Sequence, residues 1–539
     1  MEEFSFRSRE RSLQRFKNEI FDLLVIGGGI TGAAVARDAT SRGLKVALVE
    51  RRDFAFGTSS RSSKLIHGGL RYLQNLEFGL VFEALSERSF LLKTAPHLVR
   101  PLSFYLPVYK GDSHGRGLLS VGLWLYDLLA LFRTPEFHQG ISRKKLLSQI
   151  PFLKSEGLRG GFRYHDASMW DDALTIETLR AAQQGGAAVA NYIEAVKPIW
   201  NDGVISGFIV RDCEKSDGPD GPRSEWELKA HRTVLCVGPW TDELGQGLSE
   251  SWETWLKPSK GVHLIFDHKR IPIPGAMVMS HPTDGRISFV IPRTDYGQGV
   301  VIVGTTDGPT HQDPEKAQVE KEDVQYLMDL LTRYFPDLNL THDDILSAYV
   351  GVRPLMDENQ VKKASEDSRV LQKVSREHHI DRGPGGTVVV AGGKYTTHRI
   401  MAQEIVDFAL KAWKEDALKI EGSFFPASIS SSKTDEPVND MTTAEAIKRC
   451  REEILKRKIE LSDSLVNRYG EEALWMFEFQ ERQKRKMAES TSSVGLGVAI
   501  GVEIGAAIGA AIGATASAEM GVGSSLESDE ETSPEIKHP

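Results

Sequence analysis

Cysteine is scarce: Cys213, Cys236 and Cys450 are the only three in 539 residues. The number is odd and no two stand at C-x-x-C spacing, which argues against a disulfide scaffold, a zinc site and a redox dithiol and fits a reducing compartment. An excess of positive charge is also lacking. The formal net charge is -9, whereas a general nucleic-acid binder would be basic; a local basic pocket for a small anion stays compatible with that balance. The N-terminus, MEEFSFRSRERSLQRFKNE, has no apolar run and mixes acidic with basic residues, against a secretory signal and a mitochondrial transit peptide. No metal-ligand constellation is present: His378 and His379 are adjacent, and in a strand or turn such neighbours diverge. Long apolar runs are missing except at 494–516, VGLGVAIGVEIGAAIGAAIGATA. What remains is ordinary for globular domains, 40% hydrophobic and 26% charged, at a length that suggests about two to four of them.

The clearest local signal is FDLLVIGGGITGAAVARDATSRGLKVALVE at 21–50. Leu23–Ile26 reads as a buried parallel strand. It runs into G-x-G-x-x-G at Gly27, Gly29 and Gly32, then into a helix over 31–41 that Gly43 ends. Lys45–Val49 is a second strand, closed by Glu50. Gly27 permits the tight turn, Gly29 lets the backbone approach a pyrophosphate, and Gly32 lets helix and strand pack closely. The helix N-terminus faces the phosphates and the acid accepts from ribose hydroxyls. A lone glycine motif would say little; strand, helix, second strand and terminal acid together predict a dinucleotide site. One copy is present, which by itself does not choose between an NAD enzyme and a flavoenzyme. The loop after the second strand, TSSRSSKLIHGGLRYL at 58–73, packs hydroxyls, amide donors and glycines where a long cofactor would extend.

The motifs IGGGITG, TSSRSSKLIHGGLRYL, HLVRPLSFYLP, GPW, KGVHLIF, GRISFVIPR, VGTTD, GVRPL and GGKYTTHR, in this order, closely resemble the FAD-dependent glycerol-3-phosphate dehydrogenases. The resemblance covers about residues 20–415 and, more weakly, 425–475. It implies bound FAD, oxidation of glycerol 3-phosphate to dihydroxyacetone phosphate, and electron delivery to membrane quinone. It also implies a peripheral, cytoplasmic location on the inner face of the cell membrane. A homodimer is compatible with the sequence and not specified by it.

The expected fold is α/β: a Rossmann-like FAD-binding domain, an antiparallel-rich substrate cap and a small C-terminal helical region. The FAD domain is read as discontinuous, over 20–95, 169–251 and 351–415. Within it, Asp171 and Asp172 cap a helix to about Gln184, and Gly185-Gly186 ends it. The cap takes 96–168 and 252–350, with strands such as Val262–Phe266, Ile287–Ile291 and Val300–Val303. A polar linker comes next at 426–440, then a helical region at 441–487 and an acidic disordered tail at 517–539.

A phosphate dianion needs cations, and the candidates near glycines are Arg71, Arg286, Arg353, Lys394 and Arg399. The family resemblance places Arg71, Tyr72, His263, Arg286, Arg353 and Lys394 near the substrate; the rival reading of each arginine is an ordinary surface ion pair. Oxidising a secondary alcohol also needs a base within reach of the hydroxyl, for which histidine is the natural type. His263 is the first choice, with a satisfied core histidine as the alternative. Lys394 is a second base, or a charge that stabilises reduced flavin. For FAD, the matched motifs nominate Gly27, Gly29, Gly32, Glu50, Thr58, Ser59, Ser63 and Lys64. Val196 would supply backbone bonds to adenine, and Gly238 a close approach. Gly393 to Thr397, including Lys394, Thr396 and Thr397, would meet the flavin, with a helix starting at the two threonines.

Three functions stay open at this level: a quinone-linked dehydrogenase, an oxidase that passes electrons to oxygen, and a catalytically silent flavoprotein platform. The stretch 494–516 is open too. As a helix it would span roughly 30 Å of hydrocarbon, and its G-x-x-x-G repeats suit close helix packing. Against insertion, Glu503 near its centre would cost about 2.5–3.5 kcal/mol. A packing or surface helix and a disordered tail are the alternatives.

Overall fold

The computed structural model describes residues 4–457, apart from 70–72, 74–76, 113–114, 132, 217–222, 283, 311–312, 358–377, 419–423, 427–428 and 436–443, together with scattered residues from 466 to 482. Two units divide the chain, Met1–Trp475 and Met476–Pro539, and both β-sheets belong to the first. The stretches 494–516 and 517–539 lie outside the described residues, and so do Arg71 and Tyr72. Among the described residues no helix is long and apolar enough to cross a membrane.

The strand Ile20–Ile26 buries Phe21, Leu23, Leu24, Val25 and Ile26, as a strand covered on both faces must. It pairs in parallel with Val46–Val49 on one side and Arg223–Leu235 on the other. The full order of this sheet is His379–Arg382, Val388–Ala391, Arg223–Leu235, Ile20–Ile26, Val46–Val49 and Ala188–Ala190. Ile193–Asn201 and Val204–Ser216 continue from Arg223–Leu235 as an antiparallel meander. On one face lie the helices Ile30–Ser41, Asp171–Gln184 and His398–Ala417. They approach closely because the first offers Ala33, Ala36 and Ala39 to Leu179, Ala182, Ile405 and Ala409. The helix Phe6–Asn18 covers the other face through Leu13 and Phe16. Asp171 and Asp172 sit in the first turn of their helix, after an N-cap at Trp170. There their charge favours the helix N-terminus.

The second sheet runs Gly308–Pro309, Ser259–Asp267, Val300–Gly304, Ile287–Arg293, Ala276–Ser280, Val99–Tyr109, Leu158–Met169 and Leu65–Ile66. Ile345–Arg353 adds to Ser259–Asp267 on its free side, and Gln139–Ile141 to Leu158–Met169. Pairing is antiparallel except where Ala276–Ser280 meets Val99–Tyr109. Alternation along Ala276–Ser280 sends Met277 and Met279 to the face covered by the helix Lys321–Tyr334. Ala276 and Val278 go to the face covered by the helices Phe78–Thr94 and Arg116–Leu129. Leu65–Ile66 comes directly after the loop that leaves the first sheet, so that loop crosses from one sheet to the other. The architecture is the expected α/β one, a dinucleotide-type parallel sheet joined to an antiparallel-rich second sheet. A C-terminal helix, Ala444–Arg457, lies beyond it in the chain.

Candidate active site

A cavity of about 530 Å³ runs from the start of the helix Ile30–Ser41 to the second sheet. Its first end is built by the glycine turn. Gly27 has φ 110°, and a Cβ there would lie 2.4 Å from the Cys236 carbonyl oxygen. A Cβ on Gly32 would lie 1.9 Å from the Gly27 carbonyl oxygen. The helix can therefore start against the strand only with glycine at both places. Glu50 is tied to the turn, accepting from the backbone N–H of Gly28 at 2.7 Å and of Arg52 at 2.8 Å. Burial raises its pKa, and the two amide bonds oppose that. Each carboxylate oxygen keeps a further acceptor site for a ribose hydroxyl. Ser59 Oγ accepts from Ile30 N–H at 2.9 Å, beside the helix N-terminus. A turn with no room for side chains, a helix N-terminus and a half-used acid fit the pyrophosphate and ribose of FAD.

The crossing loop is fixed from two sides. Thr58 Oγ1 donates to the Val352 carbonyl at 2.6 Å. Asp171 accepts from Ser62 Oγ at 2.7 Å and from Lys64 Nζ at 2.6 Å. Burial works against the charge of Lys64, but Asp171 outweighs it and holds the ammonium above the usual lysine range. Lys64 is thus engaged with the protein and does not line the cavity.

The far end is made by neighbouring strands. His263 and Tyr349 face each other in register on Ser259–Asp267 and Ile345–Arg353. Their rings stack with centroids 4.7 Å apart at 12°. His263 Nε2 shares a hydrogen bond of 2.9 Å with Ser63 Oγ, while its buried Nδ1 has no partner among the described residues. Burial, with the charges of Arg353 and Lys64, brings its pKa down to about 3, so the imidazole is neutral at pH 7. Arg353 lies in the cavity wall. Its Nη2 donates to Thr305 Oγ1 at 2.9 Å and to the Thr306 carbonyl at 3.1 Å. Its Nη1 contacts the Lys260 carbonyl at 3.2 Å, Ser259 Oγ at 3.3 Å and Asp307 Oδ1 at 3.4 Å. Burial holds this guanidinium below its usual pKa; Asp307 opposes the shift and Arg286 adds to it.

Of the nominated residues, Gly27, Gly29, Glu50, Thr58, Ser59, Ser63, Val196 and Gly238 line the cavity, and so do His263, Arg353, Gly393 and Lys394. Gly32 and Lys64 stand behind its wall. Thr396 and Thr397 are buried, Thr397 as N-cap of the helix His398–Ala417, whose first residue is two beyond the expected start at Thr396. Arg286 is outside the lining, donating to the Asp307 carbonyl. Arg399 is spent on Glu87, with bonds of 3.0 and 2.6 Å. Asp171, Ser62, Tyr349, Thr305 and Asp307 were not singled out by the sequence as site residues. Tyr349, Gly351 and Arg353 share one strand face at period two, which is a legible signal; the junction of Asp171 with the loop is a tertiary contact with none.

A family profile described as FAD dependent oxidoreductase matches residues 22–407. The aerobic glycerol-3-phosphate dehydrogenase of Staphylococcus aureus (strain USA300) is 39% identical over 411 residues, 76% of this chain and 70% of that one. A glycerol-3-phosphate dehydrogenase from Bacillus halodurans, solved in complex with FAD, superposes with a TM-score of 0.67 at 28% identity, over 90% of this chain and 83% of that one. The dithionite-reduced, FAD-bound L-alpha-glycerophosphate oxidase of Mycoplasma pneumoniae gives a TM-score of 0.51 at 18% identity, over 72% and 95%, and shares the fold.

Proposed function

We propose, from the premise that this chain belongs to the FAD dependent oxidoreductases and among them to the FAD-dependent glycerol-3-phosphate dehydrogenase family, that it oxidises sn-glycerol 3-phosphate to dihydroxyacetone phosphate. FAD, when bound, supplies the hydride acceptor. The turn at Gly27–Gly32, Glu50 and Ser59 would hold its pyrophosphate and ribose, and the loop Gly392–Lys394 would meet its far end. The observation that carries the reading is one continuous cavity with a dinucleotide cradle at one end and Arg353 with a neutral His263 at the other.

Arg353 would bind the substrate phosphate through Nη1 while Nη2 stays bonded to Thr305 and Thr306. His263, oriented by Ser63 and Tyr349, would take the hydroxyl proton. A pKa of about 3 is too low to hold that proton unaided. Burial is the larger cause of the depression; substrate phosphate beside Arg353 offsets the part that comes from its positive charge and to that extent raises the basicity of the imidazole. Lys394 in the wall supplies a positive charge next to the reaction. Adding glycerol 3-phosphate without oxygen should bleach the flavin spectrum; no bleaching refutes the activity.

For the acceptor, we propose a membrane quinone, reached at the inner face of the cell membrane. The helix Arg116–Leu129 supports this, because it turns Leu118, Val121, Trp124 and Leu128 outward at 62%, 66%, 58% and 53% exposure. These positions form one apolar stripe, with exposed Arg116 and Arg133 at its ends. Such a stripe flanked by arginines suits an anionic lipid surface. Reoxidation of the reduced enzyme by quinone in vesicles, faster than by oxygen, is the expected result. Rapid reoxidation by oxygen with stoichiometric peroxide would make it an oxidase instead.

A further inference from the structure

Arg353 already carries an anion. Asp307 comes after Thr305 and Thr306, which their neighbours hold: Thr305 O accepts from Ser288 Oγ at 3.0 Å, and Thr306 Oγ1 donates to Asp323 at 3.1 Å. The Asp307 side chain is nevertheless 51% exposed. Ser259 Oγ donates to its carboxylate, Arg353 Nη1 stands 3.4 Å from Oδ1, and Arg286 donates to its backbone carbonyl. Two guanidinium charges that repel each other thus meet on one residue. The bonds of Nη2, at 2.9 and 3.1 Å, go to Thr305 and Thr306 just past the strand Val300–Gly304; those of Nη1, at 3.2 to 3.4 Å, go to Ser259, Lys260 and the carboxylate.

We propose that Asp307 is a tethered counter-anion that occupies the phosphate-binding face of Arg353 and yields it to the dianionic phosphate of the substrate. This rests on the reading of Arg353 as the phosphate ligand. The exchange is selective by charge. A monoanion that replaces Asp307 gains no charge over the carboxylate already there and must be ordered besides. A phosphate brings about 1.5 to 2 negative charges, more than the single carboxylate charge it replaces at Arg353. Asp307 is a specificity residue and touches the substrate only by giving way to it.

The test is steady-state kinetics of the FAD-loaded Asp307→Asn enzyme, which keeps the shape and the Ser259 contact and removes the charge. The KM for glycerol 3-phosphate should fall about fivefold, the scale of a half-exposed ion pair. Inhibition by inorganic phosphate should tighten in parallel, while kcat does not rise. Asp307→Ser should act in the same direction. In an Arg353→Ala background, where KM is already raised, Asp307→Asn should no longer lower it. If Arg353→Ala raises KM and Asp307→Asn leaves it unchanged or raises it, Asp307 supports Arg353 instead of competing with the substrate, and this inference alone fails. If Asp307→Asn lowers KM equally with Arg353 absent, the exchange does not run through Arg353 and is likewise overturned. If Arg353→Ala leaves KM unchanged, the phosphate reading itself is wrong and the inference falls with it.

Discussion

Replacing Gly32 by alanine adds one methyl group where there is no volume for it. Its Cβ would lie 1.9 Å from the Gly27 carbonyl oxygen, 3.1 Å from the Gly27 carbonyl carbon and 3.4 Å from Cys236 Cβ. An ordinary carbon–oxygen contact begins near 3.4 Å, so the gap must open by about 1.5 Å if the carbonyl is to be cleared. Gly27 cannot retreat: its N–H is bonded to the Val49 carbonyl at 2.9 Å, and it already abuts the Cys236 carbonyl. The helix Ile30–Ser41 must therefore move outward and take its N-terminal amides with it. Overpacking of this kind costs about 1–3 kcal/mol of stability. Two amide bonds to a charged pyrophosphate, at about 1.5–3 kcal/mol each, would be lost as well. FAD affinity should fall by at least about a hundredfold. The assay is the flavin-to-protein absorbance ratio of the purified variant, then titration of the apoprotein with FAD. Gly43→Ala is the control: its φ of 90° makes it strained, yet nothing lies within 4 Å of its Cβ, so it should lose some stability and keep its flavin. A Gly32→Ala protein that purifies with full flavin and normal affinity would refute the steric reasoning.

Arg353→Ala should retain FAD and raise the KM for glycerol 3-phosphate by about thirtyfold or more, the scale of one charged hydrogen-bonded contact; an unchanged KM in steady-state assays contradicts the phosphate assignment. His263→Asn should slow anaerobic flavin reduction in stopped flow far more than it weakens binding, and equal reduction rates would remove His263 as the base. Burial lowers the pKa of His398 from 6.5 to about 4 in the folded chain. Only the unfolded chain then takes up this proton as pH falls from 6.5 to 4, so stability is complete above 6.5 and drains through that window. This group accounts for about 2 kcal/mol of loss between pH 7 and pH 5. His398→Asn keeps an N–H for the Tyr395 carbonyl, 2.8 Å from His398 Nδ1, and should flatten the fall of melting temperature with acid; parallel curves would contradict it. Val121→Asp with Trp124→Ser should weaken flotation with anionic vesicles by about a hundredfold, at roughly 1.5–3 kcal/mol per large apolar side chain, and unchanged flotation would assign docking to another part of the chain.

The first sheet was legible because its pattern is local. A strand, a glycine turn, an alanine-lined helix and an acid-ended strand lie within 21–50, and the structure forms Ile20–Ile26, Ile30–Ser41 and Val46–Val49 there. The strand around His263 was also readable as an apolar run, Val262–Phe266, and the structure extends it to Ser259–Asp267; the strand Ile345–Arg353, with Ser347 and exposed Leu346 in it, gave no such run. Contacts across the fold were not readable. Lys64 looks like a cofactor ligand in TSSRSSK, but its partner Asp171 is more than a hundred residues away and reads locally as a helix cap. Arg399 looks like a free cation in GGKYTTHR, but Glu87 and Asp435 engage it. An arginine's sequence neighbours say where its backbone goes; the acid that engages it is set by packing.

The strand Val388–Ala391 has a consequence in time. It is bonded to Val234 and Leu235 of Arg223–Leu235, which in turn flanks Ile20–Ile26. The cofactor cradle begins at Gly27, but its sheet is finished by residues made several hundred positions later. At roughly 5–20 residues per second on the ribosome, the βαβ unit waits on the order of 20–70 s for its last parallel strand. For the last roughly 8–30 s of that interval, once Leu235 has been made, the edge of Arg223–Leu235 at Val234 and Leu235 lacks its partner, the kind of surface that invites wrong partners. Capture of the flavin is thus postponed to the end of synthesis of the catalytic unit, and a nascent chain stalled before Val388 would expose that edge without the loop Gly392–Lys394 that completes the cavity.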